Sequence, residues 1–214
     1  MKPLLTALFC FAFLAPAQDP SRAIPDDSWI LVHIDTETTG LVAGYHELID
    51  FGAVYTDPNG RILGQFYRKI LPAHPERLSP RAKEINGFDP ALWRARGALA
   101  SEQALREWRA WEAQQFPNRR MIRVALNSPF DASFVDTWLR QHHLKLPAHY
   151  TFFFLDLPSM AWSLGFRELW GSQLAAKLGV ADEPHTPLEH TGLSGALVNV
   201  RIYQKLVEYR RARL

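Results

Sequence analysis

Apolar residues along the chain fall into short runs and helical stripes that predict alternating strands and helices. Residues 29–35, WILVHID, are a strand-length apolar run that closes on an acid. Residues 48–55 and 62–70 form two more such runs, joined by Asp57-Pro58-Asn59-Gly60. Proline at the second turn position and glycine at the fourth suit a type I turn, so the pair reads as an antiparallel hairpin. Ser79-Pro80 followed by RAKEIN and Gly87 predicts a short helix with serine as cap, proline in its first turn and glycine past its end. A longer helix is expected over 102–115, capped by Ser101. Its Leu105, Trp108 and Trp111 recur at helical spacing, the signature of a core-facing stripe. Residues 121–126 form a further strand, and 132–142 a helix with Phe134, Val135, Trp138 and Leu139 on one face. A strand at 152–155 and helices around 169–178 and 193–213 complete the pattern. Three strands followed by alternating helices and strands predict a mixed α/β sheet flanked by helices.

Composition narrows this little. At 214 residues, with 47% hydrophobic and 21% charged residues, the chain suits one globular domain and excludes a disordered one. A formal net charge of +2 gives no basic coat, so any nucleic-acid contact has to come from a local site. The first residues stand apart. Lys2 precedes an apolar run ending in Ala15-Pro16-Ala17, a small-x-small pattern that suits cleavage after Ala17. The expected organisation is a signal peptide at 1–17, a polar linker at 18–28 and one domain over 29–214. That arrangement implies export to the periplasm or outside the cell, with no membrane attachment once the leader is removed. The alternatives are a cytoplasmic protein or one anchored by an uncleaved leader. Bulky Phe9 before Cys10 argues against a lipoprotein signal, and Cys10, the only cysteine, leaves with the leader.

Candidate chemistry lies where strands and loops end. Asp35 and Glu37 are two apart on a strand and share a face, so their carboxylates repel unless a cation lies between them. Mg²⁺, which prefers oxygen ligands and is commonly held by carboxylates, is a usual solution. Asp131 follows a second strand, and the loop His185-Thr186-Pro187-Leu188-Glu189-His190 carries two histidines and an acid.

On these residues the chain resembles the DEDDh group of 3′-to-5′ exonucleases, from about Ile30 to Leu206. Asp35-Thr-Glu-Thr-Thr-Gly-Leu41 is similar to its first motif and Asn127-x-x-Phe130-Asp131-x-x-Phe134 to its second. His185 followed by Leu188-Glu189 is similar to the third, in which a histidine precedes an aspartate by five positions. Ile85-Asn86-Gly87 and Leu178-Gly179 also match segments of that family. The resemblance implies a ribonuclease H-like fold, a mixed five-stranded sheet flanked by helices. It implies a metal-dependent hydrolase that trims single-stranded DNA or RNA from the 3′ end with two divalent ions, Mg²⁺ or Mn²⁺. Asp35, Glu37 and Asp131 become metal ligands, His185 the general base for the attacking water, and Thr38 and Leu41 contacts to the terminal nucleotide, with Leu41 as an apolar wedge. Five positions after His185, where the family pattern has aspartate, stands His190. It is either a fourth metal ligand, better suited to Mn²⁺ than to Mg²⁺, or the mark of an impaired nucleic-acid-binding module. Neighbouring Glu189 is a possible substitute for the missing acid.

Other residues read as structural. His33 suits a satisfied core histidine, His142-His143 a helix end, and Asp156 a strand-terminal cap. Asp50 is either support for the site or a polar interruption of an apolar strand. The cluster Arg119, Arg120 and Arg123 reads as a solvated face, with phosphate contact as the alternative.

Overall fold

In the computed structural model, which describes residues 29–213, every layer is organised around β1, Trp29–Thr38. The expected leader and linker lie outside the described residues. Ile30, Val32 and Ile34 of β1 face one helical layer and join Trp108 and Trp138 in its core. Leu31 faces the other layer and packs with Leu157, Ile202 and Leu206. This alternation buries the strand on both sides, which explains why it reads as a nearly continuous apolar run.

β2, Leu48–Thr56, and β3, Ile62–Leu71, continue from β1 as an antiparallel meander. The turn between them forms as expected: the Gly60 amide donates to Asp57 O at 2.9 Å, and the Asp57 carboxylate accepts from the Asn59 and Arg61 amides. On the other side of β1, β5 (Arg120–Ala125) and β6 (Tyr150–Asp156) run parallel to it. A two-residue strand, β4 (Leu99–Ala100), pairs with β3 and makes the sheet six-stranded, in the order β4-β3-β2-β1-β5-β6. Five strands were expected. A sixth strand of two residues is too short to leave a periodic signal.

The helices follow their caps. α1, Pro80–Asn86, starts at Ser79, whose Oγ accepts from the Ala82 amide at 3.1 Å, and ends at Gly87 with φ +66°. α2, Pro90–Ala95, and α5, Leu157–Ser163, have no counterpart in the hydrophobic pattern. Each is under two turns long, yet each begins on an aspartate cap, Asp89 or Asp156, with proline in the first turn. α3, Ser101–Gln115, is capped by Ala100 and not, as expected, by Ser101. The Ser101 hydroxyl is engaged elsewhere, with His142 Nε2 and Trp138 Nε1, both at 2.9 Å. α4, Ser128–Gln141, begins four residues earlier than its apolar stripe, because Asn127 turns the chain at φ +64° immediately after β5. α6, Gly171–Lys177, and α7, Gly192–Arg211, complete the second layer. α3 and α4 cover one face of the sheet, with Trp108 and Trp138 stacked at 5.9 Å. α5, α6 and α7 cover the other. No described helix is long and apolar enough to cross a membrane.

His33 is the core histidine the sequence suggests, though only half satisfied, since its Nδ1 is buried without a hydrogen-bond partner among the described residues. It is fully buried beside Tyr203, with Nε2 3.1 Å from Thr56 Oγ1. Burial lowers its pKa to about 3. The unfolded chain therefore binds a proton below about pH 6.5 that the folded chain refuses until about pH 3. Stability from this position is present above the unfolded value and is lost as pH falls through that window. We expect His33→Gln to flatten the acid limb of the stability profile. Relative to the natural protein, the variant should gain about 2–3 kcal/mol between pH 7 and pH 4.5 in urea denaturation. Parallel profiles would refute this account.

Candidate active site

The C-terminal end of β1 delivers Asp35 and Glu37 to one face, the face that α7 covers. α7 reaches them through glycines. Its first residue, Gly192, lies so close to β2 that a Cβ on Gly52 would sit 2.1 Å from the Gly192 carbonyl carbon. Asp50 secures the junction. Fully buried, it accepts from the Gly192 amide at 3.0 Å and from the Tyr67 hydroxyl at 2.6 Å, and it pairs with Lys69 at 3.2 Å. Burial raises its pKa to about 6, against the pull of Lys69 and the Tyr67 hydroxyl. Asp50 thus supports the site by holding the start of α7. All three nearest contacts at residue 52, the Gly192 carbonyl carbon and oxygen and the Leu193 nitrogen, are backbone, which cannot yield as a side chain does. Gly52→Ala is therefore expected to destabilise the protein by about 2–3 kcal/mol, read as a lower denaturation midpoint with an unchanged slope.

One helical turn further on, α7 presents Gly195 to Asp35. A Cβ at that position would stand 2.4 Å from Asp35 Oδ2. Asp131 arrives from the opposite side on the first turn of α4, buried, with Oδ1 accepting from the Thr36 hydroxyl at 2.8 Å. Burial pushes its pKa up to about 7 although the Thr36 hydroxyl opposes the shift. Asp35 is also held well above the usual carboxylate range, first by burial, then by the charges of Asp131, Glu183, Glu37 and Asp50. No described residue donates a hydrogen bond to its carboxylate.

His190 is the cation in the middle of these acids. Its Nε2 lies 3.1 Å from Glu37 Oε1 and its Nδ1 3.3 Å from Glu183 Oε2. The bond to Glu37 leads in raising the His190 pKa to about 9, against the effect of burial. Near neutrality the ring therefore carries a proton on each nitrogen: Nε2 faces Glu37, while Nδ1 donates to Pro184 O at 3.2 Å with the Glu183 carboxylate close beside it. Among the described residues, no three acid, histidine or cysteine side chains are gathered closely enough to hold an ion as they stand.

Asp35, Glu37, Glu183 and His190 line one cavity of about 490 Å³, together with Thr38, Leu41, Arg81 and Phe130, and Asp131 adjoins it through its bond to Thr36. Thr38 is buried and donates its hydroxyl to Gly40 O at 2.7 Å, while Leu41 is 80% exposed and stands at the mouth. Six of the seven residues singled out in the sequence are therefore brought together: Asp35, Glu37, Thr38, Leu41, Asp131 and His190. The seventh, His185, is placed elsewhere. It is exposed, pairs with Asp182 at 3.0 Å and borders an adjoining hollow that it shares with Arg81, Glu84 and His190. The cause is local. The Glu189 and His190 amides both donate to Thr186 O, and Leu188 takes φ +77°, so this tight turn carries His185 outward and His190 inward. Glu189 is exposed and lines none of the cavity. Glu183, which the sequence motifs did not mark, does line it. Asp156 caps α5 as expected, but Arg123 is not on a solvated face: it points into the structure, buried, and pairs with Asp136 at 2.7 Å. Arg120 stacks over Trp29.

The exonuclease family model RNase_T matches residues 32–203. Among curated proteins, the chain is 26% identical over 203 residues to the PolC-type DNA polymerase III of Thermotoga maritima, covering 92% of this chain and 14% of that protein. It is 32% identical over 119 residues to the corresponding polymerase of Listeria innocua, covering 56% of this chain and 7% of that one. The chain thus spans about a seventh or less of the length of these relatives. Among solved structures it superposes on the nuclease domain of 3′hExo, a DEDDh family member bound to rAMP, with a TM-score of 0.65 at 17% identity. The match covers 84% of this chain and 91% of that one. Exonuclease I gives a TM-score of 0.67 at 16% identity over 86% and 41% of the two chains. The fold is accordingly the ribonuclease H-like exonuclease fold, and with its match extending from β1 into α7 the chain belongs to the RNase_T exonuclease family.

Proposed function

We propose that this cleft removes nucleotides from the 3′ ends of single-stranded nucleic acid, with two divalent ions, Mg²⁺ or Mn²⁺, held by its carboxylates. The observation that carries this reading is the convergence of Asp35, Glu37, Glu183 and His190 on one cavity, with Asp131 beside Asp35. The acids supply carboxylate oxygens, the donors that suit hard divalent cations, around the single imidazole of His190. When bound, such ions neutralise the acids and polarise the scissile phosphate.

The protein's own groups do the rest. Asp35, Glu37 and Asp131 would hold the ions, and Leu41 would lie against the terminal base at the cleft mouth. His190 is held protonated by Glu37 and Glu183 while their charges are uncompensated; once those charges are neutralised its ring is free to act as the general base in its neutral form. It takes a proton from the attacking water as the new P–O bond forms, and the P–O3′ bond breaks with its electron pair leaving on the 3′ oxygen. His185, 66% exposed and turned away, is assigned no part in the chemistry. Nucleic acid as substrate is supported by the solved neighbours, one bound to rAMP and another described as an ExoI–ssDNA complex.

Gly195 favours a second reading, a binding module that holds a 3′ end without cutting it. With His190 taken as the family's histidine, the fifth position onward, where that pattern has aspartate, is Gly195. Time courses on 5′-labelled single-stranded DNA and RNA with Mg²⁺, Mn²⁺ or chelator separate the two. A ladder shortening from the 3′ end is expected with metal and not with chelator. Retention of the strand without cleavage under every metal supports the module instead. Export stays part of the proposal, and finding Gln18 as the mature N-terminus is its test.

A further inference from the structure

We propose that Glu183, from the loop ahead of α7, supplies the cation site with the carboxylate that Gly195 lacks. This rests on the metal-dependent reading above and goes beyond it in naming a ligand outside the motif pattern. Position 195 looks straight at Asp35, because a Cβ there would approach both carboxylate oxygens of Asp35 within 3.0 Å. With glycine in place, α7 contributes no acid at that point. Glu183 reaches the same region by another route. It lines the cavity with Asp35 and Glu37, and its Oε2 accepts from the hydroxyl of Ser194, the residue next to Gly195, at 3.1 Å. The same oxygen faces His190 Nδ1 at 3.3 Å.

The carboxylate is therefore fixed on the first turn of α7, beside the position whose side chain is missing. Nearby acids are otherwise committed or turned away. Asp50 is bonded to Gly192, Tyr67 and Lys69; Asp182 pairs with His185; Glu189 is exposed. Asp35 lines the cavity and accepts no hydrogen bond from a described residue, so its carboxylate is open to a cation there. The His190 ring that now joins Glu37 to Glu183 marks the region that positive charge occupies.

The test is titration of the purified protein with Mn²⁺, followed by calorimetry and by the electron paramagnetic resonance signal of free Mn²⁺. Glu183→Gln keeps the shape and removes the charge; Asp182→Asn is the control one residue away. We expect E183Q to weaken Mn²⁺ binding about tenfold or more and D182N to leave it within about twofold. Thermal melts in chelator exclude an unfolded E183Q. Equal Mn²⁺ affinity in E183Q and the natural protein overturns the inference and leaves the nuclease reading intact. Mn²⁺ binding that depends on Glu183 in a protein that cuts no nucleic acid sustains it while the nuclease reading fails. A natural protein that binds no Mn²⁺ overturns it as well.

Discussion

Asp35→Asn is expected to cut 3′-exonuclease activity at least about a thousandfold, the scale on which loss of a group that organises transition-state charge is felt. The same substitution is expected to leave the thermal midpoint unchanged or raised. The two effects have one origin. Burial and the charges of Asp131, Glu183, Glu37 and Asp50 hold the Asp35 carboxyl well above its usual value. An acid whose folded pKa exceeds its unfolded one favours folding while it is protonated, and that contribution is lost as pH rises through the folded pKa. In the absence of a cation the raised carboxyl therefore makes folding less favourable as pH rises, and asparagine removes that opposition. Activity and melting are to be measured on one preparation, the melt in chelator. A variant with more than a tenth of the natural rate, in either Mg²⁺ or Mn²⁺, counts against Asp35 as a ligand. A variant that is both inactive and markedly less stable points to a folding defect.

The same balance explains which parts of the molecule could be read from the chain. β1, β2, β3 and α1 were legible because each is bounded by a strong local signal: an acid-ended apolar run, a Pro-Asn-Gly turn, a serine cap with a closing glycine. α2 and α5 were not, since six or seven residues give periodicity too little length to register, although Asp89-Pro90 and the Asp156 cap were present. β4 exists only because Leu99 and Ala100 lie alongside Ile70 and Leu71, a tertiary pairing with no sequence signature. Ser101 is a good cap by type, yet Trp138 and His142 compete for its hydroxyl.

In the site, Asp35, Glu37 and Asp131 were legible because strand ends and a helix start fix their directions. The loop before α7 was not. Two histidines five residues apart each fit the pattern of a histidine ahead of a missing acid, and spacing alone cannot choose between them. The choice is made by the turn at Thr186 to His190 and by Thr191, whose capping box with Ser194 starts α7 at Gly192. One signal in the sequence did favour this register. His190-Thr191-Gly192-Leu193-Ser194-Gly195 ends on a glycine where the pattern has an acid, and a glycine against a carboxylate is a mark of close approach. Glu183 carried no such signal, since a glutamate in a proline-flanked loop reads as solvated.

His190→Ala and His185→Ala turn this register into an experiment with opposite outcomes. Removing a general base typically costs a hundredfold to ten-thousandfold in rate. We expect a loss of about that size for His190→Ala and a change of less than about twofold for His185→Ala. The reason is positional. His190 Nε2 lies 3.1 Å from Glu37 inside the cleft, whereas His185 is bound to Asp182 on the outer side of the turn, with ring centres 6.0 Å apart. His190→Ala also frees Glu37 and Glu183 from their shared partner, so an altered Mn²⁺ affinity alone would not distinguish a base from a charge that merely organises the glutamates. The discriminating measurement is the rate at saturating Mn²⁺ in each variant, with imidazole added. A base that is missing only its ring is expected to regain activity with added imidazole, while a collapsed acid cluster is not. If His185→Ala carries the loss and His190→Ala does not, the loop must reverse its turn when substrate binds, and His190 returns to the role of a cation among acids.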